Sequence, residues 1–163
     1  IDETYGTIVR EAQESMAGGV SLSCLYITWE TYQCGNVLSL IVSCGWDFDM
    51  NTYSVYLYDT ATGEQMTTAQ LLETLQVEPE TFLAAVRQAA AERFDGKYAG
   101  IGGDTDELVA ERRAWTLSDE NINLDVMTYA DAAGNLYVYL PIGSIAGAAS
   151  YEEPLTLDLG AAG

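Results

Sequence analysis

The stretch VSLSCLYITWETYQCGNVLSLIVSCGW, residues 20–46, decides between fold classes. Its first half, residues 20–32, is rich in β-branched and aromatic side chains. Such side chains suit a pleated surface better than a helix, so the segment reads as a strand. Gln33-Cys34-Gly35-Asn36 supplies turn residues, and residues 37–46 read as a second strand. There Leu38, Leu40, Val42, Cys44 and Trp46 are apolar at alternate positions, while Ser39 and Ser43 point the other way. That period of two predicts a strand with one buried face, the serines lying opposite it. A hairpin centred on Cys34 sets Cys24 and Cys44 equidistant from the turn, facing each other closely enough to touch or to bridge. A one-residue slip in register abolishes this pairing, and three free thiols are the other reading.

On the C-terminal side, TYSVYLY (residues 52–58) is a third strand, stopped by the turn Asp59-Thr60-Ala61-Thr62-Gly63. Thr67 then caps a helix, with Gln70 placed three residues on as in a capping box, and Leu71, Leu72 and Leu75 face inward. Pro79 suits the first turn of another helix, whose apolar stripe is Phe82, Leu83, Val86, Ala90 and Phe94. Residues 95–107 are rich in glycine and aspartate and read as a surface loop, followed by a short edge strand at 115–117. Residues 122–129 and 136–142 form a hairpin around Asp131-Ala132-Ala133-Gly134-Asn135, and a last strand, 155–159, follows Pro154. On the N-terminal side, residues 7–17 form a helix with Ile8, Val9, Ala12 and Met16 on one stripe, ended by Gly18-Gly19. Strands in sequential runs with short turns predict an α+β fold: one antiparallel sheet of about five to seven strands, with two or three helices on one face. No repeat or boundary divides the chain, so residues 1–163 read as a single domain, with helix 7–17 and a core over 20–159.

Composition narrows the function. Histidine is absent, which removes the usual general base near neutral pH and the commonest metal ligand. The charge is −19, from 25 acidic and 6 basic residues. Such a field repels phosphate backbones and anionic membrane surfaces, which argues against nucleic acid, and attracts cationic proteins. The plainer reading is solubility. No apolar run is long enough to span a bilayer, and the opening Ile1-Asp2 fits a chain whose export signal or anchor lies upstream.

Motifs for catalysis or cofactors are weak. Asp47, Asp49 and Asn51 open like a calcium loop, but Thr52 and Tyr58 stand where glycine and glutamate are needed. Gly100-Ile101-Gly102-Gly103 lacks the strand and the Lys-Ser/Thr of a phosphate cradle. Gly143-Ser144-Ile145-Ala146-Gly147 sets its serine one position early for a nucleophile elbow. The acidic pairs Asp104/Asp106 and Glu152/Glu153 read as solvated loop residues. No metal, cofactor or catalytic residue is therefore expected. The aromatics are more informative: Tyr56 and Tyr58 alternate with Val55 and Leu57, and Tyr137 and Tyr139 with Leu136, Val138 and Leu140. Each of these strands has an apolar face and a tyrosine face, and exposed tyrosines stack on sugar rings or anchor a protein. These four tyrosines are the candidate ligand-binding residues. The alternative is that helices cover that face and the rings are core.

Five segments occur in order: Asn36-Val37-Leu38-Ser39-Leu40, then Tyr58-Asp59-Thr60-Ala61-Thr62-Gly63-Glu64, then Leu71-Leu72, then Gly134-Asn135-Leu136-Tyr137-Val138, then Ala146-Gly147-Ala148-Ala149-Ser150-Tyr151. Together they resemble a family of bacterial extracytoplasmic domains of unknown function. That family occurs at the C-terminal end of RsiV-type lysozyme-sensing anti-sigma factors and in the non-catalytic part of some peptidoglycan deacetylases. Where many members carry Tyr-Thr-Gly-Gly-Ala-His-Gly, this chain has Cys44-Gly45-Trp46-Asp47-Phe48-Asp49. The resemblance implies export, anchoring by a lipid or a membrane segment outside this chain, and no catalytic residues. Three functions follow as expectations: a sensory or binding module for a cationic protein such as lysozyme, a peptidoglycan- or glycan-binding module, and an acid hydrolase using paired carboxylates.

Overall fold

Gly35 decides the first hairpin. It takes φ 56°, in the left-handed region, which lets Gly35-Asn36 close a two-residue loop of the primed kind. The loop joins β1 (Cys24–Cys34) to β2 (Val37–Trp46), with Cys34 paired to Val37. The computed structural model describes residues 2–17, 24–46, 50–101, 103, 105–146 and 150–160. The tight loop moves the register by three residues from a hairpin centred on Cys34. Cys44 consequently faces Ile27, and Cys24, beyond a bulge between Cys24 and Tyr26, pairs with Trp46. The expected facing pair of cysteines does not form, because a loop glycine and not the cysteine sets the turn.

β3 (Met50–Asp59) and the two-residue β4 (Gln65–Met66) complete an antiparallel sheet in the order β1-β2-β3-β4. A second antiparallel sheet, in the order β5-β6-β7, is built from β5 (Met127–Ala130), β6 (Leu136–Gly143) and β7 (Ser150–Thr156). The class is α+β as expected, but the strands divide into two sheets, with four helices among the described residues. These are α1 (Asp2–Ala17), α2 (Thr68–Thr74), α3 (Pro79–Lys97) and α4 (Asp106–Thr116).

The capping box forms: Gln70 N donates to Thr67 Oγ1 at 3.3 Å, and Thr67 N donates to Gln70 Oε1 at 2.8 Å. Pro79 occupies the first turn of α3, whose Phe82, Val86, Ala90 and Phe94 are fully buried along one stripe. That stripe packs on the even face of β6, where Leu136, Val138, Leu140 and Ile142 are equally buried. Each of these large side chains contributes about 1.5–3 kcal/mol by leaving water. Residues 106–116 are helix where the sequence reads as loop and edge strand. Trp115, taken for a strand aromatic, ends a helix that Asp106 and Glu107 begin and Arg113 closes, charges that suit its dipole.

The serine face of β2 corrects the expectation of a single buried face. Ser39 is 0% exposed, with Val37 and Ile41 beside it nearly as buried, while Val42 and Cys44 are buried on the other face. Ser39 Oγ donates to Ala130 O at 3.2 Å and accepts from Ala130 N at 3.3 Å, tying the first sheet to β5. A small hydroxyl at this position lets the backbone of the second sheet approach and satisfies its polar groups. The layers therefore run first sheet, second sheet, α3 with α4, and the tyrosine face of β6 is covered by a sheet instead of by helices. α1 lies on the far side of the first sheet, where Tyr5 and Val9 approach Ile27, Trp29 and Leu40.

Candidate functional site

Alternation along each strand delivers tyrosines to the gap between the sheets. Tyr32 of β1 and Tyr53 of β3 come from the inner face of the first sheet; Tyr129 of β5 and Tyr137 and Tyr139 of β6 come from the second. Tyr53 and Tyr139 stack with ring centroids 4.1 Å apart, Tyr129 and Tyr137 at 4.9 Å, and Tyr32 and Tyr129 at 5.6 Å. Tyr139 is 9% exposed, whereas Tyr32, Tyr53, Tyr129 and Tyr137 are half-buried.

Carboxylates rim this stack. Tyr32 OH donates to Glu30 Oε2 at 2.9 Å, Tyr137 OH to Asp131 Oδ2 at 3.1 Å, and Tyr53 N to Glu152 Oε2 at 2.9 Å. The bond to Glu30 raises the Tyr32 hydroxyl above its ordinary value, and that to Asp131 does the same for Tyr137. Burial raises Tyr139 to about 12 and Tyr129 further still. Asp131 is held below the ordinary carboxylate range, first by the Asn135 amide and then by backbone N–H groups of the turn and by Tyr137. At neutral pH Asp131 is thus anionic, and Tyr32, Tyr129, Tyr137 and Tyr139 carry their protons.

Of the six basic residues, five lie on the helical side: Arg87, Arg93 and Lys97 in α3, and Arg112 and Arg113 in α4. The ion pairs among the described residues are there too. Arg93 and Lys97 both hold Glu153, Arg113 holds Asp95 at 2.7 Å, and Arg87 holds Asp119 at 2.6 Å. Residues 11–86, which include the whole first sheet, contain no Lys or Arg. Negative charge on the sheet side is consequently met by one cation alone, Arg10 of α1.

A second feature lies on the outer face of the first sheet. Tyr5, Val9, Ile27, Trp29, Thr31, Leu40 and Val42 line an open groove of ≈ 570 Å³ between α1 and the sheet. Trp29, in β1, is 71% exposed, and Val9 is 44% exposed. Tyr5 reaches across to hydrogen-bond Ser54 and Tyr56, and burial raises its hydroxyl to about 12.

The expected tyrosine set is therefore split. Tyr137 and Tyr139 lie in the stack between the sheets, whereas Tyr56 and Tyr58, both half-buried, point to the outer face on which α1 sits. Sequence reading missed Tyr32, Tyr53, Tyr129 and Trp29, and the absence of cations over residues 11–86 was the signal for that side of the molecule. Glu152 and Glu153 stand in β7 and not in a loop, their neighbours being Tyr53 and the pair Arg93 and Lys97. Ser144 is buried and accepts from Ala146 N at 3.1 Å. Among the described residues no three Cys, Asp or Glu side chains group closely enough to hold a metal ion, and Asp47, Asp49, Gly102 and Asp104 lie outside those residues. Among them, too, no helix is long and apolar enough to cross a membrane. Compared with known proteins, the chain matches no family model and no curated protein.

Proposed function

We propose that this chain is a non-catalytic binding or sensory domain of a bacterial cell envelope that takes a cationic protein, such as a basic lysozyme, on its sheet side. The observation that carries the reading is the segregation of charge. Cations gather on α3 and α4, while Glu30, Asp131 and Glu152 rim a tyrosine stack on a side where residues 11–86 bring none. Aromatic faces beside carboxylates suit Lys and Arg side chains, which gain both ion pairing and cation–π contact. The resemblance of five segments to the extracytoplasmic family of RsiV-type anti-sigma factors supports the same reading, and with it a location outside the cytoplasm, anchored or secreted, is part of the proposal.

The test is capture of a basic lysozyme by the immobilised chain. Binding is expected at low salt and should weaken steeply as screening shortens to about 10 Å at 0.1 M. Glu30→Lys, which inverts a rim charge on an exposed residue, should lower the association rate about tenfold. Absence of capture at low salt, or capture indifferent to both salt and Glu30, overturns the reading.

Trp29 favours a second reading. An indole 71% exposed beside an apolar groove is a platform for a sugar ring, as a peptidoglycan-binding module needs. Co-sedimentation with purified peptidoglycan that persists at high salt and disappears in Trp29→Ala would select it over the cationic partner.

A further inference from the structure

Resting on the cationic-partner reading, we propose that β1 is a docking edge. It takes an extended segment of the partner as an added strand, with apolar side chains alternating with Lys or Arg. β1 ends the sheet order and pairs, among the described residues, with β2 alone. It is 11 residues long, against a usual strand length of about 5–6. Edges that must stay unpaired are blunted by proline, by charged side chains or by bulges. β1 contains no Pro, Lys or Arg, its bulge is confined to the end near Cys24, and its one charge, Glu30, repels an acidic strand and not a basic one.

The tight hairpin fixes which groups face outward. In a two-residue loop the flanking pair, Cys34 and Val37, is the hydrogen-bonded one, and such pairs alternate with non-bonded ones. The backbone groups of Tyr32, Glu30 and Thr28 therefore turn toward β2, and those of Thr31, Trp29 and Ile27 turn toward the open edge. A strand added there lies about 4.8 Å away, with facing side chains in contact.

Its two faces would meet different surroundings. Residues opposite Ile27, Trp29 and Thr31 extend the apolar groove under α1. Residues opposite Thr28 and Glu30 lie on the side of the tyrosine stack and its carboxylate. This alternation specifies a segment reading apolar, basic, apolar, basic, apolar. Charge selects a foreign occupant over a second copy, because another copy carries −19 itself and brings no cation from residues 11–86. Main-chain pairing with side-chain pockets of alternate character is how strand addition combines affinity with selectivity.

The experiment titrates a labelled short peptide of alternating valine and lysine against the whole chain by fluorescence anisotropy. Two control peptides accompany it: one of the same composition with its lysines in a block, and one N-methylated at the amides that would face β1. The alternating peptide should bind, and each control should lose about tenfold or more, since both keep the charge while the block peptide loses the alternation of side chains and the methylated one loses the main-chain pairing. Thr31→Pro removes an outward N–H without touching the β1–β2 ladder and should weaken the alternating peptide by a similar factor. If that variant does not fold, the methylated peptide on the unaltered protein still decides. Equal binding of all three peptides overturns the docking edge and leaves only charge attraction. Capture of lysozyme with no binding of any peptide also overturns it while sparing the cationic-partner reading. Failure of both removes the two together.

Discussion

Removing the ring of Tyr139 tests whether the tyrosine stack joins the two sheets. Tyr139 is 9% exposed and lies 4.1 Å from the Tyr53 ring at an interplanar angle of 20°. Tyr139→Ala deletes a buried aromatic and leaves a cavity between the sheets, a change that costs about 3–5 kcal/mol in well-packed sites. For a chain of this size, each kcal/mol lowers Tm by roughly 2–4 °C, so the lower bound of that cost predicts a drop of about 6–12 °C. Tyr139→Phe keeps the ring and should cost about 1 kcal/mol. A double-mutant cycle with Tyr53→Ala, read by urea unfolding and circular dichroism, should give a coupling of about 0.5–1.5 kcal/mol beyond the lost area. Coupling within about 0.3 kcal/mol of zero would refute the joint. The two rings would then hold the sheets together by no more than the area each of them buries. With the joint intact, Tyr32 and Glu30 stand at the rim, where the proposed partner would meet them, and Tyr139 lies beneath as the floor.

Three further outcomes are expected. Burial raises Tyr5 and Tyr139 to about 12, above the tyrosine value of about 10 that unfolding restores, so the folded state binds these protons more tightly. Their contribution is complete below pH ~10 and lost as pH rises toward 12; a Tm unchanged across that interval, followed alongside tyrosinate absorbance, contradicts it. Glu153 is raised by burial but lowered more by Lys97 and Arg93 together, so its net pKa falls and its stabilisation disappears as pH drops through the folded value. Glu153→Gln should cost about 1–2 kcal/mol by urea unfolding, because it loosens β7 from α3, and should flatten that acid limb. Ser39→Ala should cost about 1–3 kcal/mol by leaving Ala130 O and N without their buried partner, and amide exchange at Ala130 should accelerate.

Local chemistry was legible where neighbours in sequence are also partners in space. Thr67 and Gln70 close their capping box, Pro79 opens α3, and Asp131 folds the turn back on Ala133 and Asn135, as their spacing requires. What the pattern could not supply is the identity of the covering layer. Alternation in β2 says that Ser39 and Ser43 share a face, and polarity suggests that this face is open. A buried serine bonded to a backbone 91 positions away satisfies the same pattern, so one sheet and two sheets read alike. Helix α4 was hidden by a different cause: Trp115 has strand propensity, and the glycines before it mask a helix that Glu107, Leu108, Ala110 and Glu111 favour.

The candidate site shows the same limit in sharper form. Tyr137 and Tyr139 were visible as a pair because they are two residues apart on one strand. Their real partners, Tyr32, Tyr53 and Tyr129, come from three other strands, and only the register set by Gly35 and the stacking of the sheets brings them within 6 Å. Charge behaves differently, because it acts over distances longer than a contact. A long stretch without a cation biases a whole side of the fold whatever the register, provided that the stretch folds into one layer. Residues 37–66 do so as the three strands β2, β3 and β4, and β1 adds the edge. Under the proposed function, attraction of the cationic partner would follow from composition, while its retention would depend on a loop glycine. Substituting Gly35 with a β-branched residue should leave the salt-dependent encounter and weaken retention, because strain at φ 56° disturbs the register that pairs Tyr32 with Ser39 and faces Trp29 to the edge.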